Sequence, residues 1–177
     1  MNRMFSVKSL YSMIIGATIV FMFLNAFLPL NLSSVETEAT QYPFKLAIAL
    51  EKTTYRPGDL VNVTWTLTNL GEENVTLYNS RDDPLDFIVR DEDFNHVFRY
   101  RTYHGVFLIV GPVAQIAPNG NIIFAGTWEQ IYDNVLESRN PTMFMRVLPG
   151  IYYVSGFFKS TTYNVAFETT PIRITII

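Results

Sequence analysis

The sequence of 177 residues contains no cysteine and only two histidines, His96 and His104. Without cysteine no disulfide can form, so a folded domain must depend on its hydrophobic core. The chain also lacks a Gly-x-Ser-x-Gly motif and a pair of histidines at metal-binding spacing. These absences argue against the common hydrolase and zinc-enzyme classes. We therefore expect a protein that is not an enzyme and that uses no cofactor or catalytic metal.

Basic residues are also in short supply. The chain has 13 Lys and Arg against 16 Asp and Glu, a formal net charge of −3. Arg3 and Lys8 are the only charged residues before Glu36, so the acidic excess lies entirely in the later part of the chain. An acidic domain gains little from a phosphate backbone, and nucleic acid is therefore excluded as an expected partner.

One long apolar run is present, "MIIGATIVFMFLNAFLPL" at residues 13–30. It is long enough to cross a hydrocarbon core as a helix, which predicts a transmembrane signal anchor. A signal peptide that is removed is the alternative, and a buried helix of a soluble core is a third reading. Residues 1–12 then form a short basic cytoplasmic flank. The positive-inside rule places the rest of the chain outside the cytoplasm, either on a single-pass membrane protein or as a secreted domain.

After residue 30 the sequence changes character. Residues 31–43, "NLSSVETEATQYP", are polar and predict a linker. Residues 44–177 then alternate apolar and polar side chains, a period of two that predicts β-strands. Strands are expected at 44–51, 60–69, 75–79, 85–89, 96–101, 121–128, 150–158 and 167–177, with weaker candidates at 105–110 and 113–117. A short helix around 129–138 is the one exception considered. Seven to nine short antiparallel strands with regular turns predict an all-β, immunoglobulin-like β-sandwich.

Four sequence blocks, in this order, resemble a known family. They are "LEKTTYRPGDLVNVTWTLTNLGEENVTLYN" (50–79), "DFIVRDEDFNHVFRY" (86–100), "IAPNGNIIFAGTWEQ" (116–130) and "VLPGIYYVSG" (147–156). Together they resemble the BsuPI-type domain of the intracellular proteinase inhibitors. The resemblance implies an immunoglobulin-like sandwich and inhibition of a subtilisin-like serine protease. The apolar run at 13–30 and a long stretch at 129–148 depart from the pattern of that family.

Four residues are expected to define the fold. The spacing of Gly150 and Tyr152 matches the corner of immunoglobulin-like sandwiches, where the tyrosine hydroxyl bonds back to the backbone. A tyrosine that merely points inward after a turn is the alternative. Trp65 alternates with apolar neighbours, which predicts a core position. Trp128 ends its strand, and the sequence leaves open whether it lies at the rim of the sandwich.

The stretch 129–148 is the candidate partner surface, because long irregular segments in compact domains are often functional. Its candidate binding residues are Tyr132, Met143, Phe144, Met145 and Arg146. The alternative reading is that 142–147 is another strand that packs inward. The partner is an unidentified protein, for which a serine protease is the leading hypothesis.

Three weaker signals are also present in the sequence. Asn-x-Ser/Thr sites at Asn31, Asn62 and Asn74 would accept N-glycans on an exported domain, although the tripeptide is common by chance. "DEDFNH" (91–96) has carboxylates at the spacing of a calcium loop but lacks its glycine, so a solvated hairpin turn is favoured. "RYRTYHG" (99–105) interleaves cations and aromatics, which favours side chains lying over the rim of the sandwich rather than a base-stacking site.

These observations give two functional hypotheses. The first is a membrane-anchored or exported binding domain of the BsuPI type that inhibits a subtilisin-like protease. The alternative is a structural subunit of the cell envelope or of a filament, assembled by addition of a strand to the edge of a neighbour's sheet.

Overall fold

The computed structural model describes residues 34–78, 85–100, 112–133 and 145–177. No helix within these ranges is long and apolar enough to cross a membrane. The predicted flank at 1–12, the apolar run at 13–30, Asn31 and the weak strand candidate at 105–110 lie outside the described residues.

The described ranges contain twelve strands, more than the seven to nine predicted. They are β1 (Val35–Gln41), β2 (Phe44–Leu50), β3 (Thr54–Tyr55), β4 (Val61–Asn69), β5 (Val75–Tyr78), β6 (Leu85–Asp91), β7 (His96–Arg99), β8 (Pro112–Ile116), β9 (Asn121–Trp128), β10 (Gly150–Ser160), β11 (Val165–Glu168) and β12 (Ile172–Ile176). The all-β prediction is confirmed for the described part of the chain.

The strands form two large sheets and one ribbon. The first sheet has the order β1-β2-β4-β9, and all of its pairs are antiparallel. The second has the order β3-β12-β10-β6-β7, with β11 also paired to β10. Its pairs are antiparallel except for the short β3, which runs parallel to β12. Strands β5 and β8 form the two-stranded ribbon.

One hydrophobic core lies between the two large sheets. Alternate residues of each strand point inward, and the core includes Phe44, Leu46, Ile48, Trp65 and Leu67 from the first sheet with Phe87, Val89, Val154, Phe158 and Ile174 from the second. Trp65 is 2 % exposed and its ring lies 5.3 Å from that of Phe87 in an edge-to-face arrangement. The predicted core position of Trp65 is confirmed.

The predicted linker at 31–43 is wrong for the part that the structure describes. Val35–Gln41 forms β1 and pairs with β2 over seven residues. Two side-chain bonds hold it to the other sheet, from Thr37 Oγ1 to Thr170 O (2.6 Å) and from Ala166 N to Gln41 Oε1 (3.2 Å). An edge strand needs backbone pairing but no apolar face, so polar composition alone does not distinguish it from a linker.

The ribbon continues the β4–β9 pair around a corner at Asn69. The Asn69 side chain is fully buried. Its Nδ2 donates to Glu73 O (2.7 Å) and Ile116 O (3.0 Å), and its Oδ1 accepts from Gly71 N (2.9 Å). The backbone of Asn69 bonds to Gly120 and Asn119 on the opposite strand. Where the two strands bend, the Asn69 side chain therefore supplies hydrogen bonds to backbone groups that are not paired between the strands.

The predicted last strand, 167–177, is divided into β11 and β12. Between them the Thr169 N–H donates to Gly156 O (2.9 Å), and Thr169 Oγ1 accepts from Gly156 N (3.0 Å). A side-chain hydroxyl thus takes one place in the ladder, after which Pro171, lacking an N–H, leads into β12.

The tyrosine corner is present. Tyr152 is 4 % exposed, and its hydroxyl donates to Leu148 O at 2.7 Å, four residues upstream. A methyl group built on Gly150 would lie 3.8 Å from Tyr152 Cε2, an ordinary contact. The hydroxyl bond that the sequence predicted is confirmed, but the structure gives no steric reason for glycine at position 150.

Replacing Asn69 tests the corner. Asn69→Ala leaves the buried Ile116 carbonyl and Gly71 N–H without their partner, each at a cost of about 1–3 kcal/mol, and also removes the bond to the more exposed Glu73 carbonyl. We expect the free energy of unfolding in denaturant to fall by about 3 kcal/mol. Asn62→Ala, at an exposed asparagine of the same strand, is the control and should change it by less than about 0.5 kcal/mol. Equal effects of the two variants would contradict this role of Asn69.

Removing the corner hydroxyl should change how stability depends on pH. Burial raises the pKa of Tyr152 to about 12, above the value of about 10 in an unfolded chain. The unfolded state therefore loses this proton first, so the contribution of Tyr152 is complete below about pH 10 and is lost as the pH rises to about 12. Denaturant titrations across this window should show a shallower decline for Tyr152→Phe than for the native protein. Tyr42→Phe, at an exposed tyrosine, should follow the native curve; if Tyr152→Phe does so too, the expectation is wrong.

Candidate functional site

The candidate surface at 129–148 is described at its two ends. Tyr132, Met145 and Arg146 are described, whereas Met143 and Phe144 lie outside the described residues. We call residues 130–133 and 145–147 the stem, since they flank the segment 134–144 on either side. No helix is present at 129–133, which is the described part of the predicted helix.

The two arms of the stem are joined by backbone hydrogen bonds. The Tyr132 N–H donates to Met145 O (3.0 Å), and the Val147 N–H donates to Gln130 O (2.8 Å). Between them Ile131 and Arg146 form an antiparallel bridge. Of the inward-strand reading of 142–147, only residues 145–147 are described; they form a single bridge rather than a strand, with Val147 buried and Met145 64 % exposed.

Gln130 attaches the first arm to the turn between β3 and β4. Its side chain is 2 % exposed. Its Nε2 donates to Arg56 O (2.8 Å) and its Oε1 accepts from Gly58 N (2.8 Å). Gly58 has a φ of 87°, a conformation that favours glycine. The Arg146 guanidinium lies over the same turn, 2.8 Å from where a Cβ on Gly58 would stand.

Asp133 attaches the same arm to β7. Its N–H donates to Val97 O (3.0 Å), and its carboxylate accepts from Arg99 N (2.7 Å). His96 Nε2 lies 2.9 Å from the same carboxylate, of which only 4 % is exposed. Burial of a carboxylate is tolerated when hydrogen bonds replace its hydration. Asp133 is therefore held by the strand edge rather than by solvent.

Trp128 connects the stem to the core. It is fully buried, and its Nε1–H donates to Ile131 O at 2.8 Å. Its ring lies 5.5 Å from that of Tyr152. Burial is the main cause that raises the pKa of Tyr152, and the electrostatic effect of the neighbouring Tyr132 phenol raises it further. The rim position left open for Trp128 is thus excluded, and the tryptophan lies in the core beneath the stem.

The described outer surface of this region carries two exposed apolar side chains. Met145 is 64 % exposed and Leu148 is 74 % exposed. The described stem contains no serine, threonine or cysteine. An exposed apolar pair on a fixed backbone is suited to contact with another protein.

The other sequence candidates lie elsewhere. The Asp91 carboxylate accepts from Asp93 N (3.0 Å) and Asn95 N (2.8 Å), so the acidic hairpin is a turn closed by its own side chain, as favoured. Arg99 donates from Nε to the buried Asp86 (3.0 Å) and lies over the Phe157 ring. Asn62 and Asn74 are exposed, a position compatible with the predicted glycosylation.

The sequence did not indicate Gln130, Asp133 or His96 as site residues. Gln130 and Asp133 lie in one segment and His96 in another, and they follow no short motif, so only their contacts in the folded protein reveal them. The one signal was the length of the stretch that begins at 129. Three of the five candidate binding residues, Met143, Phe144 and Met145, are apolar, whereas the polar Gln130 and Asp133 fix the backbone of the stem.

The family assignment of this chain rests on comparison with known proteins. A family model described as "BsuPI: Intracellular proteinase inhibitor" matches residues 48–163. No curated protein matches the chain. Among solved structures, the β-glucosidase EmGH1 from Erythrobacter marinus is similar at 13 % identity and a TM-score of 0.44, over 81 % of this chain and 16 % of that one. This likeness is too low to carry an argument, but the family match covers well over half of the sequence. The resemblance seen in the four sequence blocks is confirmed, and the chain belongs to the BsuPI family of intracellular proteinase inhibitors.

Proposed function

We propose that this protein binds and inhibits a subtilisin-like serine protease, with the stem as the rigid base of the contact surface. Membership of the family supports a protease partner in general terms. The observation that carries the proposal is the double attachment of the stem, through Gln130 to the Arg56–Gly58 turn and through Asp133 to β7. An immunoglobulin-like sandwich, as the tyrosine corner indicates, supplies the scaffold.

A rigid base favours inhibition for a thermodynamic reason. Association orders side chains and loops at the interface, and each ordered group lowers the affinity. A stem that is already fixed by backbone bonds between Tyr132 and Met145 and between Val147 and Gln130 incurs less of this cost. The exposed Met145 on this fixed backbone is suited to occupying a protease cleft.

The location of the domain is part of the proposal. The apolar run at 13–30 and the basic residues before it support a tether that leaves the domain outside the cytoplasm. A protease encountered there would be secreted or surface-bound. A C-terminal tag that is digested by protease added to intact cells would support this location, and a shielded tag would count against it.

Inhibition can be measured with the purified full-length protein against a panel of subtilisin-like proteases. We expect inhibition at micromolar concentration or below, and a loss of about tenfold or more in affinity for Met145→Asp, since a charge would be desolvated at the interface. Ile123→Asp is the matched control because Ile123 is equally exposed, at 63 % against 64 % for Met145. It lies about 17 Å along β9 from Trp128. No inhibition by the native protein, or equal effects of the two variants, would defeat the proposal.

The second candidate function is assembly by strand addition, which one feature of β9 favours. No described strand pairs with the outer side of β9, which carries no charge, proline or bulge along Asn121–Trp128. Edges normally carry such features to prevent association. If β9 joins a neighbour, size-exclusion chromatography should show oligomers that Ile123→Asp reduces to monomers. A native protein that is monomeric at high concentration would eliminate this alternative.

A further inference from the structure

Gln130 combines three unusual features. It has a φ of 59°, in the left-handed region that residues other than glycine seldom adopt. Its side chain is 2 % exposed although it is polar. Both polar groups of its amide nevertheless form hydrogen bonds: Nε2 donates to Arg56 O and Oε1 accepts from Gly58 N, each at 2.8 Å. A buried amide with both groups satisfied fixes its surroundings in one arrangement.

Three separate parts of the chain meet at this residue. The side chain holds the turn between β3 and β4, while the main-chain carbonyl accepts from Val147 N at 2.8 Å. Gln130 itself begins the first arm of the stem, and Val147 ends the second. Gln130 is therefore the residue of the stem that bonds both to the second arm and to the β3–β4 turn, beside the Tyr132–Met145 bond between the arms and the attachment of Asp133 to β7.

We propose that Gln130 is the positioning residue of the inhibitor, a clamp that fixes both arms of the stem and so presents the exposed Met145 to the protease in one geometry. This inference rests on the proposed function. The clamp acts by preorganisation and not by contact with the protease, because its side chain is buried. Its loss should therefore speed dissociation of the complex more than it slows association. A loosened stem should also be cleaved more readily as an ordinary substrate.

The amide group itself is required by the geometry. Methionine has a similar length and can fill the same buried space without hydrogen bonding to Arg56 O or Gly58 N. Glutamate retains an acceptor for Gly58 N but cannot donate to Arg56 O, against which it would place a negative charge. Gln130→Met and Gln130→Glu thus remove the clamp in two different ways. Gln115→Met, at an exposed glutamine of β8, is the matched control.

The experiment measures amide hydrogen exchange and inhibition on the same purified full-length variants. For Gln130→Met we expect exchange at Gly58 and Val147 to rise by about tenfold or more, while exchange at core residues such as Val154 stays within about twofold of the native rate. The inhibition constant should rise by about tenfold or more, mainly through the dissociation rate. Mass spectrometry should detect faster cleavage between residues 133 and 146. Gln130→Glu should behave similarly and Gln115→Met like the native protein.

The outcomes separate this inference from the function on which it rests. If the native protein inhibits no protease, the proposed function fails, and local exchange still decides whether Gln130 clamps the stem. Unchanged exchange at Gly58 and Val147 overturns the clamp. A rise that is equal in the core overturns it as well, because Gln130 would then stabilise the whole domain. Loss of folding in both variants would overturn the clamp for the same reason.

Discussion

Burial of alternate side chains between the two large sheets is the interaction on which the rest of this structure depends. In a chain without cysteine no cross-link assists it, so the two inner faces must fit closely. Trp65 and Phe87 meet edge to face at 5.3 Å near the middle of this core, and Trp128 and Tyr152 meet at 5.5 Å nearer its end. The second pair also supports the stem, because the Trp128 indole donates to Ile131 O. Trp128 therefore contacts both the hydrophobic core and the stem of the candidate binding surface.

Polar side chains act where the strands end or bend. Asn69 bonds to three backbone groups at the corner of the β4–β9 pair, and Gln130 to two at the stem. Thr169 takes a place in the ladder between β11 and β12. Each lies in the protein interior, where a backbone group without a partner would be costly. At these three described positions the irregular backbone is thus held by specific hydrogen bonds, which allows a fixed binding surface outside the regular strands.

The family and the structure contribute different parts of the functional argument. The BsuPI match supports a protease partner in general terms, but a fold does not by itself determine an activity. The stem adds a physical reason, since it fixes the backbone around an exposed apolar pair, Met145 and Leu148. The apolar run at 13–30 adds the proposal that this surface works outside the cytoplasm. That setting distinguishes the proposed role from that of an inhibitor that remains inside the cell.

Alternation of apolar residues determined the all-β class and most of the strands. A period of two shows which side chains of a strand face the core, and it can be read without knowing which elements pack against that strand. It also located Trp65 in the core and, through a known spacing, the Tyr152 corner. Composition could not reveal β1, whose residues are polar because an edge strand buries little, nor the division of the last strand at Thr169. Only the tertiary structure brought Gln130 to Gly58 and Asp133 to β7. Hydrogen bonds between segments that are 72 residues apart, as from Gly58 to Gln130, leave no periodic trace in either segment.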